Sequence, residues 1–166
     1  GCSLLHMKYL ATLRIKKDAF NETLKRIGNI HYKVEEVLGM DVLPGETPCA
    51  FRNKIQMPVG KSKGKLIVGN YEKESHNVIN VDKCLSQSDN VTDVIKFTKN
   101  ICNDYKVSNY DEINHCGSLR HILVRENYLG QLMLVLIVNE KIKCMKEITD
   151  KVVNKFNNVV SVIENI

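Results

Sequence analysis

Two pairs of strand-like runs, each joined by a short segment containing glycine, constrain the fold of this chain more than any other feature. They are Ala50–Val59 with Lys65–Tyr71, joined by Gly60–Gly64, and Ser118–Arg125 with Gln131–Asn139, joined around Tyr128–Gly130. Glycine permits the backbone conformations that hairpin loops need, so each pair predicts an antiparallel hairpin. Two further runs, Asn77–Val81 and the β-branched Val159–Ile163, predict additional strands. The chain is therefore expected to contain a sheet built largely from hairpins.

Three other segments space their apolar side chains as amphipathic helices do. They are about His6 to Ile27 with Gly28-Asn29 as a stop, about Val91 to Tyr105 with Ser88, Asp89 and Asn90 as caps, and Glu147 to Phe156. The stretch His31–Pro48 contains two prolines and two glycines and predicts a surface loop. This order predicts an α/β protein of the α+β type, with an antiparallel sheet and about three packing helices in a single domain.

Length and composition limit the classes of protein that this sequence fits. The 166 residues, 43% of them hydrophobic and 26% charged, suit one hydrophobic core. The longest apolar run, Leu132–Val138, is too short to span a membrane, and the N-terminus lacks the pattern of a signal peptide. We therefore expect a cytoplasmic protein with no membrane partner. The surplus of Lys and Arg over Asp and Glu, 24 against 19, permits a polyanionic partner without requiring one.

Six blocks in order along the chain carry a specific resemblance. They are Gly1–Tyr9 (GCSLLHMKY), Phe51–Val59 (FRNKIQMPV), Gly69–Tyr71 with Ser75-His76, Val81–Cys84 (VDKC), Tyr110–Glu112 with Gly117–His121 (YDE and GSLRH), and Ser161–Ile166. Together they resemble segments of bacterial RNA uracil-5 methyltransferases, which make 5-methyluridine in ribosomal and transfer RNA. One such block occurs by chance, whereas six in the family's order are hard to obtain accidentally. Glu164 departs from the family, which usually has glutamine there.

The resemblance implies a place within a larger enzyme. The family has an N-terminal TRAM/OB barrel that binds RNA, a central α/β domain, and a C-terminal domain that binds S-adenosylmethionine and carries the catalytic residues. Residues 1–166 resemble the central domain alone, and both abrupt ends of the chain fit that expectation. The chain also lacks a glycine fingerprint for the cofactor and the family's Cys-Asn-Pro segment, since Cys102 is followed by Asn103 and Asp104. We therefore predict no catalytic residue here, and S-adenosylmethionine only in the full-length protein.

The strand Phe51–Val59 supplies the first candidate contacts with RNA. Side chains alternate across a strand, which places Phe51, Ile55, Met57 and Val59 on one face and Arg52, Lys54 and Gln56 on the other. Composition alone favours an ordinary solvated face for the polar set. The resemblance instead favours RNA binding by Arg52, Lys54 and Gln56.

Four more candidates follow: His76, Arg120 and His121 from the later blocks, and Arg125 from the strand Ser118–Arg125. Alternation predicts that His121 and Arg125 share one face of their strand with Leu119 and Leu123, and that Arg120 shares the other with Ile122 and Val124.

Alternatives remain open for two of these candidates. Arg120 is either an RNA contact or a partly buried arginine paired with Asp111 or Glu112. His76, beside Ser75 in a polar loop, is either an RNA contact or a loop histidine without a role.

The six cysteines form no C-x-x-C pair, which argues against a zinc ribbon. In the resembled family four cysteines hold a 4Fe-4S cluster, and here Cys2 matches the third and Cys84 the fourth. Two unrelated thiols are the alternative from the residues alone. Because such clusters normally need four thiolates, the cluster is expected, if anywhere, in the full-length protein and not intact in this chain.

Three functional hypotheses follow. The first is the central domain of a 23S ribosomal RNA uracil-5 methyltransferase, preferred over a transfer RNA enzyme because the cysteine pattern resembles the ribosomal branch. The second is a stand-alone RNA-binding module, and the third is a metal-binding or redox protein that uses Cys2 and Cys84. The sequence indicates no oligomeric state.

Overall fold

The computed structural model describes residues 4, 6–43 and 46–166, and the chain divides into two compact units, Gly1–Cys49 and Ala50–Ile166. The elements of the described residues are α1 (Tyr9–Arg26), β1 (Lys54–Ser62), β2 (Lys65–Tyr71), β3 (Val78–Asn80), α2 (Asp89–Asp104), β4 (Leu119–Glu126), β5 (Leu132–Val138), α3 (Met145–Lys155) and β6 (Val159–Asn165). This mixture of one six-stranded sheet and three helices in the described residues confirms the predicted α+β class.

The first unit contains α1 and the loop that follows it. The predicted loop is confirmed over its described residues, which form no helix or strand. The hydroxyl of Tyr9 accepts a hydrogen bond from the backbone N–H of Met40 at 2.6 Å. The side chain of Asn21 bonds both the N–H and the carbonyl of Val34, at 2.8 and 3.0 Å. These helix side chains replace the backbone partners that an irregular segment lacks.

The second unit is built on the sheet, whose strand order is β3-β2-β1-β4-β5-β6. Both predicted hairpins are confirmed, as β1–β2 and β4–β5. Neighbouring strands are antiparallel except β5 and β6, which are parallel. A parallel pair requires a crossover connection, and α3 lies within it. The hairpin pattern did not predict this parallel pair.

The first hairpin has a tighter turn than the predicted loop Gly60–Gly64. Strand β1 continues up to the residue before Lys63, so Lys63 and Gly64 alone form the turn, with φ angles of 48° and 80°. Two positive φ angles are typical of the two-residue turns whose twist matches paired strands. Gly60 instead lies inside the strand, where an added Cβ would be 2.7 Å from the Cβ of Val78. Its small size is required by close packing and not by the turn.

Strand β1 also begins four residues later than the predicted start at Ala50. The backbone N–H groups of Ala50 and Arg52 donate to the carbonyls of Leu85 and Ser86, at 2.8 and 2.9 Å. This segment is therefore bound to the loop before α2. The prediction that Phe51 lies on the apolar face is wrong, because its side chain is outside the strand and 46% exposed.

The hydrophobic core lies on the face of the sheet that packs against α2 and α3. Ile55, Met57 and Val59 of β1 are buried, whereas Lys54 and Gln56 are exposed, as the alternation predicted. The helices contribute buried side chains to the same cluster: Val91, Val94, Ile95, Ile101, Ile148 and Val152. We call the opposite side of the sheet the outer face.

Candidate nucleic-acid interface

The paired strands β1 and β4 carry five of the seven candidate residues. Lys54 stands opposite Arg125, and Pro58 stands opposite His121, with Gln56 between the two pairs. Since alternate residues of a strand share a face, these polar side chains lie along the outer face. The two pairs are four residues apart, which corresponds to about 13 Å along the strands. We call the row formed by Lys54, Gln56, His121 and Arg125 the outer band.

A basic cleft, defined by Arg52, Lys54 and Arg125, lies at one end of the outer band and has a volume of about 730 Å³. Two exposed aromatic side chains also line it, Phe51 at 46% and Tyr128 at 94% exposure. Arg and Lys beside aromatic rings are the groups that bind the phosphates and bases of single-stranded nucleic acids. Three predicted residues from two separate segments are thus brought together.

The basic cleft has a net positive charge, with three cations against one carboxylate, and within the described residues no ion pair joins those cations to a carboxylate. Glu126 also lines the cleft, but its carboxylate accepts hydrogen bonds from Ser88 at 2.6 Å and Asn90 at 3.3 Å. Lys54 and Arg125 are directly opposite, and like charges in that position destabilise a sheet. A bound anion would remove this repulsion.

An aromatic cleft of about 300 Å³ lies at the other end of the outer band. We define it by Tyr71, His76, Tyr110, Glu112, Arg120 and His121. The rings of Tyr71 and His76 are 5.5 Å apart, and Nδ1 of His76 lies 2.6 Å from Oε2 of Glu112. The guanidinium of Arg120 lies 4.5 Å from the centre of the Tyr110 ring. The cleft therefore combines two tyrosine rings with two cations, Lys61 and the stacked Arg120, and two carboxylates, Asp111 and Glu112.

The surroundings in the aromatic cleft favour the neutral forms of two of its groups. Burial and the Glu112 carboxylate raise the pKa of Tyr71, against the opposing charge of Arg120. Burial and the positive charge of Arg120 lower the pKa of His121, against the opposing charge of Glu112. The lowered pKa favours the neutral His121 ring, which offers one donor and one acceptor.

The predicted faces of β4 are wrong at the start of the strand. A β-bulge between Leu119 and His121 shifts the register, since a bulge adds one residue to one strand of a pair. Leu119 is consequently fully buried with Ile122, whereas Arg120 is exposed. The remainder of the strand follows the prediction, with Arg125 on the outer face.

The alternative of a buried, ion-paired Arg120 is also wrong in the described residues. One oxygen of Asp111 accepts hydrogen bonds from the backbone N–H groups of Ile113 and Asn114, at 2.9 and 3.1 Å. The other carboxylate, Glu112, contacts a histidine as described above. Arg120 instead packs its planar guanidinium on a tyrosine ring.

Sequence reasoning missed the aromatic members of both clefts. Tyr71 and Tyr110 belong to the resembled blocks but were not predicted as site residues, and Phe51 was predicted in the core. The only sequence signal for these residues was an aromatic side chain within a short polar block. Tyrosines that pack in a core give the same signal. Contact with Arg120 and His76 becomes visible only when separate segments are brought together.

The segment that carries Tyr110 depends on Gly117, and this gives a testable prediction. Gly117 has φ +95°, and an added Cβ would lie 2.0 Å from the carbonyl oxygen of Asn109. Gly117→Ala should therefore lower the free energy of unfolding by more than the roughly 1–3 kcal/mol that backbone strain alone costs. Urea denaturation followed by circular dichroism would measure the loss.

Gly130→Ala is the matched control, because Gly130 has φ +74° but open space around an added Cβ. It should show the strain without the clash and lose less stability than Gly117→Ala. Equal losses for the two variants would mean that the contact with Asn109 does not constrain this segment.

The predicted cluster ligands are only partly within the described residues, because Cys2 lies outside them. Cys84 is half-buried, and its Sγ lies 3.1 Å from the hydroxyl of Ser86. Burial opposes ionisation, but hydrogen bonding with Ser86 and the charge of Arg52 help to hold the pKa of the thiol below its ordinary value. No group of three or more His, Cys, Asp or Glu is arranged for a metal in the described chain. These residues therefore do not by themselves provide the four ligands of a 4Fe-4S cluster, and Cys2 and Cys84 stay a prediction.

No family model matches the sequence. Individual proteins match over nearly its whole length. A protein of Clostridium tetani named uncharacterized RNA methyltransferase is 41% identical over 167 residues, covering 99% of this chain and 35% of the relative. A protein of the same description from Clostridium acetobutylicum is 36% identical, covering 100% of this chain and 36% of the relative. The chain therefore spans about one third of the length of these relatives.

A solved structure shares the fold of this segment. The crystal structure of Pyrococcus abyssi tRNA (uracil-54, C5)-methyltransferase in complex with S-adenosyl-L-homocysteine matches 90% of this chain and 33% of its own, with a TM-score of 0.63 and 22% identity. The relatives confirm the predicted resemblance at the level of RNA methyltransferases.

Within the described residues, no helix is both long and apolar enough to cross a membrane.

Proposed function

We propose that this chain is the central, RNA-contacting segment of an S-adenosylmethionine-dependent RNA (uracil-5-)-methyltransferase that acts on 23S ribosomal RNA. The observation that carries the proposal is the outer band: candidate residues from separate segments of the chain meet in two clefts at its ends. The named relatives and the shared fold support the same conclusion. Residues 1–166 are then one domain, with the RNA-binding barrel and the cofactor domain in the rest of the protein.

The chemistry of the reaction explains why such a segment is needed. Carbon 5 of uracil is a poor nucleophile, and in the resembled family a cysteine thiolate first adds at carbon 6. The target base must leave its stack to reach that thiolate, and the RNA around it must be held unpaired. In this proposal the outer band holds that RNA. The nucleophile, the base and S-adenosylmethionine belong to other parts of the full-length protein.

The choice of ribosomal RNA rests on the resemblance of Cys2 and Cys84 to the cluster cysteines of the ribosomal branch. A transfer RNA substrate and a stand-alone RNA-binding module are the competing functions, and one assay separates all three. The full-length protein would be incubated with S-adenosylmethionine labelled in its methyl group and with 23S ribosomal RNA or transfer RNA that lacks 5-methyluridine.

We expect labelled 5-methyluridine in 23S ribosomal RNA with the full-length protein, and none with residues 1–166 alone. Label in transfer RNA only would replace the proposed substrate. RNA binding without methyl transfer would favour the binding module. Formation of 5-methyluridine by residues 1–166, free of host enzyme, would overturn the assignment to the central domain.

A further inference from the structure

We propose that the aromatic cleft binds one unpaired nucleobase while the basic cleft holds phosphates of the same RNA strand, an inference that rests on the proposed function. The two clefts have different chemistry, and that difference assigns their roles.

The aromatic cleft offers the surfaces on which bases stack. Tyr71 is 42% exposed, and the ring of Tyr110 is stabilised by the guanidinium of Arg120 stacked upon it. Unpaired bases in RNA are recognised by stacking on aromatic rings and on the planes of Arg guanidinium groups. Every base has a flat face that can stack in this way. A volume of about 300 Å³ suits a single small group and not a helix.

The same cleft is poorly suited to phosphate. Its two carboxylates, Asp111 and Glu112, offset the charges of Lys61 and Arg120, so the cleft has no net positive charge to attract a phosphate. The edge of a base is a better partner, because it presents both donors and acceptors. Glu112 can accept from such an edge, Arg120 can donate, and the neutral ring of His121 can do either.

The basic cleft has the complementary properties. Arg52, Lys54 and Arg125 provide three cations against the single carboxylate of Glu126, so this cleft carries a net positive charge. The Lys54–Arg125 and Pro58–His121 pairs are about 13 Å apart along the strands. A few nucleotides of one single strand span that distance, and the amide of Gln56 lies between.

The test uses the full-length protein and a short single-stranded RNA that contains the methylated uridine. Each nucleotide is replaced in turn by an abasic one, and fluorescence anisotropy gives the affinity of each RNA. We expect wild-type protein to lose about 5- to 100-fold at one position outside the target uridine, the range of one lost stacking contact. With Tyr110→Ala, the intact RNA should bind about that much more weakly, and removal of this one base should have no further effect.

Tyr110→Phe is the matched control, because it keeps the ring and removes the hydroxyl that lies 3.1 Å from His115. It should retain the wild-type abasic profile. Tyr71→Ala gives an independent test on another segment, the end of β2, and should also lose the sensitivity at that position, so the outcome does not depend on the folding of one variant.

The outcomes separate this inference from the proposed function. If wild-type protein binds RNA but no abasic position outside the target uridine weakens binding, the nucleobase assignment is overturned and the RNA-binding function stands. If both alanine variants keep the wild-type abasic profile, the nucleobase assignment is also overturned and the RNA-binding function stands. Failure of wild-type protein to bind any RNA would overturn the proposed function itself.

Discussion

The full-length protein with Arg52, Lys54 and Arg125 changed to alanine should bind its RNA about 100-fold more weakly at low salt. Each charge-assisted contact with a phosphate contributes about 1 kcal/mol or more, so three lost contacts amount to about 3 kcal/mol. The salt dependence should change as well. Each lost contact with a single strand removes roughly 0.7 from the slope of log affinity against log salt, or about 2 in all. Anisotropy titrations over a salt series measure both quantities.

A second triple variant controls for the loss of net charge. Lys141, Lys143 and Lys146 are exposed and lie at the start of α3 or just before it, away from both clefts. Changing them to alanine removes the same three charges and should leave affinity and salt slope nearly unchanged. Equal effects of the two triple variants would mean that total charge, and not the basic cleft, attracts RNA. If neither triple variant weakened RNA binding, the RNA-binding surface would lie elsewhere on the protein.

Met57→Ala should lower the free energy of unfolding by about 2–5 kcal/mol, the usual cost of truncating a large buried side chain. The Met57 side chain is 3% exposed and lies on the core face of β1. Its neighbour Gln56 is exposed on the outer face, so Gln56→Ala should change stability by no more than about 0.5 kcal/mol. Urea denaturation of residues 1–166 gives both values.

The two variants test the faces of a single strand. If Gln56→Ala destabilised the chain as strongly as Met57→Ala, the outer face would be a structural surface and not a contact surface. If Met57→Ala were tolerated, the core would not lie on the side of α2 and α3.

The face arrangement has a functional consequence. Strand β1 contributes buried side chains to the core and exposed donors to the outer band, so the rigid sheet positions Lys54 and Gln56. Contact residues on a packed strand are held more precisely than those on loops. His76 and Glu112 lie outside the strands, and their positions depend on mutual contact.

The sequence by itself determined the order and type of the elements. Hydrophobic periodicity is a local property, so Lys65–Tyr71 as a strand and Ser88 as the cap of α2 followed from a few neighbouring residues. The alternation that separates Met57 from Lys54 is local in the same sense. Six blocks in order also indicated the resemblance to RNA methyltransferases that the relatives confirm.

Only the tertiary structure decided which residues meet. The bulge at Arg120 inverted the predicted faces at the start of β4, because one added residue reverses alternation and no local pattern marks it. The pairing of Lys54 with Arg125 depends on strand register across about seventy residues, which is a property of the packed sheet. The aromatic cleft required Tyr71, Tyr110 and Arg120 to converge from three segments. Periodicity predicts the face of a strand on which a side chain lies. The strand register decides which residue of the neighbouring strand stands beside it, and the register is fixed only when the sheet buries its core.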